Sequence, residues 1–145
     1  TWRLSSNFTG SSGTINSNWE QADTYGYTPI GSSMSQSSGI FTFPSTGYYL
    51  ILFNAYVDDP YVTNYAGVQL RITLDNSGYN TAEANYSSVP TNGYHKNMQI
   101  MYIADVTNVS NVKVKFDIHA GDSIRFAGNT SANFTSVKFI RLADT

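Results

Sequence analysis

His95 and His119 are the two side chains of this chain that can act as a base near neutral pH without a shifted pKa. A hydrolytic site sets such a base beside a nucleophile, but Ser and Thr are so abundant here that proximity alone says little. His119, close to Gly121 at the end of a strand pattern, is expected at a strand-to-turn junction with a surface role. His95 lies between Tyr94 and Lys96 in a connecting segment, where it suits contact with a ligand. The acids offer less. Asp58 and Asp59 are adjacent and precede Pro60, and neighbours on extended chain point apart, so they do not face each other across a cleft as glycoside hydrolysis requires. Loop oxygens of this kind suit Ca²⁺, yet no Asp-x-Asp-x-Asp-Gly spacing is present, and Asp75 and Asp105 are expected at turns. The reading is a non-catalytic chain with no metal and no cofactor.

Binding chemistry is better represented. Tyr61, Tyr65, Tyr79, Tyr86 and Tyr94 fall where strand patterns give way to Asn, Ser and Thr, so they are expected on loops. Tyr presents a broad apolar ring with one polar handle at low entropic cost, and Asn and Ser add adaptable hydrogen bonds. Sugar rings stack on such surfaces. These five tyrosines and His95 form the candidate ligand-binding set, against the plainer alternative that several of them pack loops onto the body of the domain. Asn-x-Ser/Thr triplets begin at Asn7, Asn85, Asn108, Asn129 and Asn133, a number that chance supplies in so Asn-, Ser- and Thr-rich a chain.

Composition narrows the partners. The net charge is -2 with no basic cluster, so the counterion release that drives nucleic-acid binding has nothing to act on. Cys is absent, which removes disulfides and thiolate chemistry together. The longest apolar run is far below the ~20 residues that span a bilayer, which argues against membrane insertion. At 145 residues the chain is expected to form one domain, residues 1–145, large enough for a real core. Because it begins at Thr1, it is expected to be the C-terminal part of something longer.

These side chains must be held by strands. Alternating apolar runs bounded by Gly, Asn, Ser and Pro recur throughout, with no sustained helical spacing, which gives an all-β class. Strands are expected near 2–8, 39–43, 47–57, 67–74, 97–106, 111–118, 122–127 and 135–142, with turns at Asp75–Gly78, Asn92-Gly93 and Ala120-Gly121-Asp122. About eight strands in this length suit an antiparallel β-sandwich, foremost the jelly roll. Val68, Leu70, Ile72 and Leu74 oppose Gln69, Arg71 and Thr73, and Val112, Val114, Phe116 and Ile118 oppose Lys113, Lys115 and Asp117, each a half-buried strand. The 47–57 run differs. Tyr49, Ile51, Phe53, Ala55 and Val57 alternate with Tyr48, Leu50, Leu52, Asn54 and Tyr56, so both faces are apolar, a habit shared by 98–103 and by Val137 and Phe139 against Ile140 and Leu142. A second apolar face left in water forgoes several kcal/mol at about 25 cal/mol per Å². It therefore implies a partner copy over Tyr48, Leu50, Leu52, Tyr56, Ile140 and Leu142, unless the 10–38 segment folds across it.

The run Gly39-Ile40-Phe41-Thr42-Phe43-Pro44 followed by Thr46-Gly47-Tyr48-Tyr49-Leu50-Ile51-Leu52-Phe53 resembles the "G-x-F-x-x-P-x-x-G-x-Y-x-F-x-F" core of the complement-head and tumour necrosis factor superfamily. Ala120-Gly121-Asp122-Ser123-Ile124-Arg125-Phe126 is similar to its Gly-Asp turn, and Thr135–Leu142 to its closing strand, with Ile140 where the family usually has Gly. Residues 58–67 and 79–97 have no counterpart. The resemblance implies a jelly roll assembled as a homotrimer, with the 47–57 and 135–142 strands turned inward, in an extracellular protein that binds and does not catalyse. The Ser/Thr/Asn-rich, Cys-free style also resembles phage and viral tail-fibre tips. That implies a receptor-binding head on a virion surface, engaging a host cell-surface glycan or protein. The alternative is a structural knob that trimerises and caps a fibre without a ligand.

Overall fold

The computed structural model describes residues 1–58, 63–89 and 95–145. Eleven strands occur among them: β1 (Trp2–Leu4), β2 (Phe8–Thr14), β3 (Trp19–Gln21), β4 (Ser35–Ser37), β5 (Ile40–Thr42), β6 (Gly47–Val57), β7 (Thr63–Thr73), β8 (Asn80–Val89), β9 (Lys96–Val106), β10 (Lys113–Phe126) and β11 (Ser136–Ala143). Every pairing is antiparallel. One layer runs β3-β1-β11-β6-β9. The other runs β4-β5-β10-β7-β8, with β2 beside the far half of β10. A single bridge, Phe126 to Val57, joins the layers at one margin. Near the other, Asn85 Nδ2 donates to the Gln99 carbonyl at 2.9 Å and ties β8 to β9.

The inward rows are the ones that strict alternation predicts. Tyr49, Ile51, Phe53, Ala55 and Val57 of β6 meet Val68, Leu70 and Ile72 of β7 and Val114, Phe116 and Ile118 of β10 in one buried cluster. Phe53 stacks on Phe116 at 4.2 Å, and Phe41 and Trp19 close around Phe116 at 5.8 and 6.2 Å. Trp19 arrives from the N-terminal segment, anchored by its indole N–H on the Ile15 carbonyl at 2.7 Å. The buried Arg3 holds that segment in place, donating to Glu20, Asp23 and Thr24 at 2.8 Å each and to the Thr130 carbonyl.

Several expectations are corrected. The 10–38 segment contains β4, β3 and most of β2, and does not lie across the outward face of β6. β8 was expected as a connection because Asn80–Val89 lacks bulky aliphatic residues apart from its last; pairing with β7 makes it a strand nonetheless. The 111–118 and 122–127 runs are one strand. Ala120-Gly121-Asp122 is absorbed by a register shift between His119 and Ile124, so the expected turn there is a bulge. Leu74 lies past the end of β7 and is exposed, whereas Asp117, expected on the wet face, is buried. Its carboxylate accepts from Thr14 at 2.7 Å and pairs with Arg71 and Lys115 at 3.2 and 3.3 Å, which satisfies the charge. Asp105 lies on β9 opposite Tyr48 and not at a turn.

β4 and β5 form a hairpin whose two loop residues, Ser38 and Gly39, have φ of 50° and 77°, the twist that suits a two-residue connection. A Cβ on Gly39 would sit 2.3 Å from the Ile15 carbonyl oxygen. Gly39→Ala is therefore expected to cost about 1–3 kcal/mol in backbone strain alone. Urea unfolding would read this as a lowered midpoint, with Gly78→Ala, which meets nothing within 4 Å, as the neutral control. Equal midpoints would refute the clash.

The Asp75–Gly78 turn forms as expected, with Asn76 at φ 60°. Backbone N–H donation from Ser77, then the Thr73 hydroxyl and the Gly78 N–H, hold the Asp75 carboxyl below its ordinary pKa. A carboxyl depressed by folding contributes stability that is fully present above its unfolded pKa and is lost as pH falls through the folded value. The Ser77 and Gly78 amide resonances should hence move together in acid, at a pH below the usual carboxylate midpoint. Titration of Asp75 at the unshifted value would contradict the turn's bonding.

Candidate functional site

Two surfaces collect the unusual side chains. The first is the outward face of β11-β6-β9. Residues directly opposed in antiparallel strands point the same way, so register lays Ile140, Leu50 and Ile103 in one row and Lys138, Leu52 and Met101 in the next. On β9 Met101 and Ile103 are 69% and 56% exposed and on β11 Ile140 and Leu142 are 45% and 53%, to either side of β6, whose other face already fills the core. Below these rows Asn54 Nδ2 donates to the Phe134 carbonyl at 2.7 Å, and Gln99 donates to Asn54 at 3.3 Å. Tyr56 then stacks between His95 and Phe134, with centroids at 5.5 and 5.6 Å. A shallow depression of about 380 Å³ lies among Leu52, Asn54, Gln99, Met101 and Lys138.

All six residues expected at a subunit contact thus border this face. Tyr48, Leu50, Leu52 and Tyr56 share the outward side of β6, Ile140 pairs with Leu50, and Leu142 sits in the irregularity between Arg141 and Ala143. Met101, Ile103 and Phe134 complete it. The alternation over 98–103 announces the first two; nothing local announces Phe134, which arrives through the chain leading into β11. A separate groove of about 690 Å³ runs between residues 27–34 and β11, lined by Trp2, Tyr27, Ile30, Met34, Tyr49 and Phe139, and meets the apolar face at Lys138 and Ile140.

The second surface lies on the outer side of β8-β7-β10. Tyr86 pairs with Gly67, and the next step of the β7–β10 register after Val68 and Ile118 brings His119 to the other side of that glycine. With no side chain between them, Tyr86 and His119 meet: the Tyr86 hydroxyl lies 3.3 Å from His119 Nδ1, with ring centroids 5.9 Å apart at 86°. A Cβ on Gly67 would lie 2.3 Å from the Tyr86 ring. Tyr65 joins at 6.4 Å from Tyr86 and 5.4 Å from His119. Gln69 donates through Nε2 to the Tyr86 hydroxyl at 2.6 Å and accepts through Oε1 from the Thr81 hydroxyl at 3.1 Å. The Tyr86 hydroxyl accepts from Gln69 and shares a second hydrogen bond with Nδ1, whose direction follows the imidazole tautomer.

The candidate ligand-binding set therefore divides. Tyr65 and Tyr86 come together, on strands and not on the loops expected for them. His119 joins them from within β10 and not at the turn expected for it, and no sequence spacing links 65, 86 and 119. Tyr79, next to β8, lies at the far end of the same layer beneath Lys115 Nζ, 4.9 Å from its ring centre. Its phenol pKa is pushed up by burial and then by Asp117. His95 belongs to the apolar face, on Tyr56. Tyr61, Tyr94 and Asp59 lie outside the described residues. Asp58 closes on Arg125 at 2.9 Å, which gives that carboxylate a structural partner. Among the described residues no three His, Cys, Asp or Glu side chains converge to hold a metal ion.

Neither a protein-family model nor a curated protein sequence matches the chain. Solved structures do. Eiger TNF from S. frugiperda superposes with a TM-score of 0.77 at 16% identity, covering 99% of this chain and 91% of that one. Murine APRIL at pH 8.5 superposes with a TM-score of 0.68 at 13% identity, covering 97% of each. With two antiparallel layers, β6 and β11 side by side in one of them and β10 at the heart of the other, the chain folds as a tumour necrosis factor-like jelly roll.

Proposed function

We propose that the chain is one protomer of a homotrimeric, non-catalytic recognition head that works outside the cell and binds a cell-surface receptor. The observation that carries this is the outward face of β11-β6-β9, apolar and open on a strand whose other face is already packed. A second copy of the chain is the occupant that suits it. Lys138 borders the patch on β11 and Asp105 borders it on β9, opposite charges on opposite sides, which suits a head-to-tail contact where one copy meets the next around a ring. The likeness to Eiger TNF and APRIL supports the same reading through the fold.

The Tyr65, Tyr86 and His119 cluster favours recognition over a purely structural knob, since a knob has no use for exposed, hydrogen-bonded rings away from its contact face. The narrower placement, at the tip of a phage or viral tail fibre and on a virion surface, rests on sequence style alone. Multi-angle light scattering at micromolar concentration should give three chains per particle. Well-folded single chains under those conditions would remove the reading.

A further inference from the structure

The rings at Tyr65, Tyr86 and His119 form a corner whose chemistry is specific enough to name a ligand class. Tyr86 lies against Gly67, and the edge of Tyr65 lies against Gly121, where a Cβ would be 3.3 Å from the ring. Tyr86 is 47% exposed and Tyr65 38%. The Thr81–Gln69–Tyr86–His119 hydrogen-bond chain fixes the corner before any ligand arrives, which lowers the ordering cost of binding. Among the described residues, Tyr65 Oη and His119 Nε2 have no hydrogen-bond partner, so a hydroxyl and an imidazole nitrogen are left to bond a ligand beside the rings. None of these five side chains is acidic or basic apart from the imidazole. Nearby Asp117 is already neutralised by Arg71 and Lys115.

Apolar ring faces at near right angles, edged by hydroxyl and imidazole groups without a fixed charge, suit a neutral molecule with one C–H face and a hydroxyl periphery. A pyranose ring is such a molecule. A phosphate or sulfate group would find no cation in the corner, and a flat protein epitope would not require it. We propose that this corner is a saccharide-binding site, with Tyr86 stacking on the sugar ring and Tyr65 and His119 bonding its hydroxyls. The proposal rests on the recognition-head reading for its biological sense, but each corner is built within one chain.

Saturation-transfer NMR on the intact chain, with methyl glycosides of galactose, glucose and mannose and with N-acetylglucosamine at millimolar concentration, provides the test. At least one sugar should receive saturation through its ring C–H protons. Its affinity should fall about tenfold or more, ~1.4 kcal/mol, in Tyr86→Ala and in Tyr65→Ala. Tyr86→Phe keeps the ring but breaks the bonds to Gln69 and His119, and should weaken binding less than Tyr86→Ala does. Tyr79→Phe, remote from the corner, should bind as the parent does. Because Tyr86→Ala uncovers Gly67, its melting curve is recorded alongside, and Tyr65→Ala decides the matter should it fail to fold. No transfer to any of the four sugars overturns the proposal, as does transfer unchanged in Tyr65→Ala. Light scattering on the same samples separates the two readings: a three-chain particle that ignores every sugar removes only the saccharide, and a single chain that binds one removes only the trimer. Cell adsorption that needs Tyr65 and Tyr86 while all four sugars fail would assign the corner to a protein receptor, and overturn the saccharide.

Discussion

Leu52→Glu is expected to convert a three-chain particle into single chains. Leu52 points away from the core on β6, opposite Met101 and Lys138, at the middle of the open apolar face. Burying a side chain of its size contributes about 1.5–3 kcal/mol, and Leu52, Met101, Leu50 and Ile103 would be covered together in each of three contacts. A glutamate there removes that contribution. It also takes a carboxylate out of water, and an uncompensated buried charge costs several kcal/mol. One substitution introduces three such charges into a closed ring. Within a single chain the position is half-exposed, so the fold itself should lose little, on the scale of ~0.5 kcal/mol typical of surface changes. Met101→Glu should act the same way. Ile30→Glu, at a fully exposed position away from this face, should leave the particle intact. Light scattering and circular dichroism on the three variants distinguish assembly from folding. A Leu52→Glu particle that keeps three chains would show that contact lies elsewhere.

Phe116→Ala is expected to cost about 3–5 kcal/mol of stability, the range for emptying a large aromatic site in a packed core. Phe116 is fully buried, stacks on Phe53 and meets Phe41 edge-on, with Trp19 at its remaining side. These neighbours come from β6, β5 and β3, so the vacated space is framed by separate strands that cannot collapse independently. At roughly 2–4 °C per kcal/mol for a domain of this size, the melting temperature should drop by about 6–20 °C. A calorimetric shift of only a degree or two would mean that the cluster repacks freely. Because the substitution is internal, the number of chains per particle should not change below the new transition, in contrast with Leu52→Glu.

The two variants test the outward side of one layer and the core between the two layers, and both follow from alternation in the sequence. Alternation at period two is written residue by residue: Ile51 and Phe53 are buried because Leu50 and Leu52 point the other way. The half-buried pattern of Val112–Ile118 and the Asp75–Gly78 turn were readable for the same reason, since each depends on neighbours within a few positions. β8 was not readable. Asn80-Thr81-Ala82-Glu83-Ala84-Asn85-Tyr86-Ser87-Ser88 looks like a connection until β7 supplies its hydrogen-bond partners. The single strand β10 was split in reading because Ala120-Gly121-Asp122 has turn composition, yet β2 and β7 on either side carry it through as a bulge.

The amino-acid sequence by itself determined the β class, the inward rows and the doubly apolar strand, because side-chain direction along extended chain follows from parity alone. Which residues meet across strands was decided by register, a sum of many distant hydrogen bonds and core contacts with no local signature. That sum carries Tyr65, Tyr86 and His119 to the two sides of Gly67 and Gly121, gives Asp58 to Arg125, and sends Tyr79 and His95 to other surfaces. The sequence marked the tyrosines only as candidates; the tertiary structure built one corner from two of them and added a histidine.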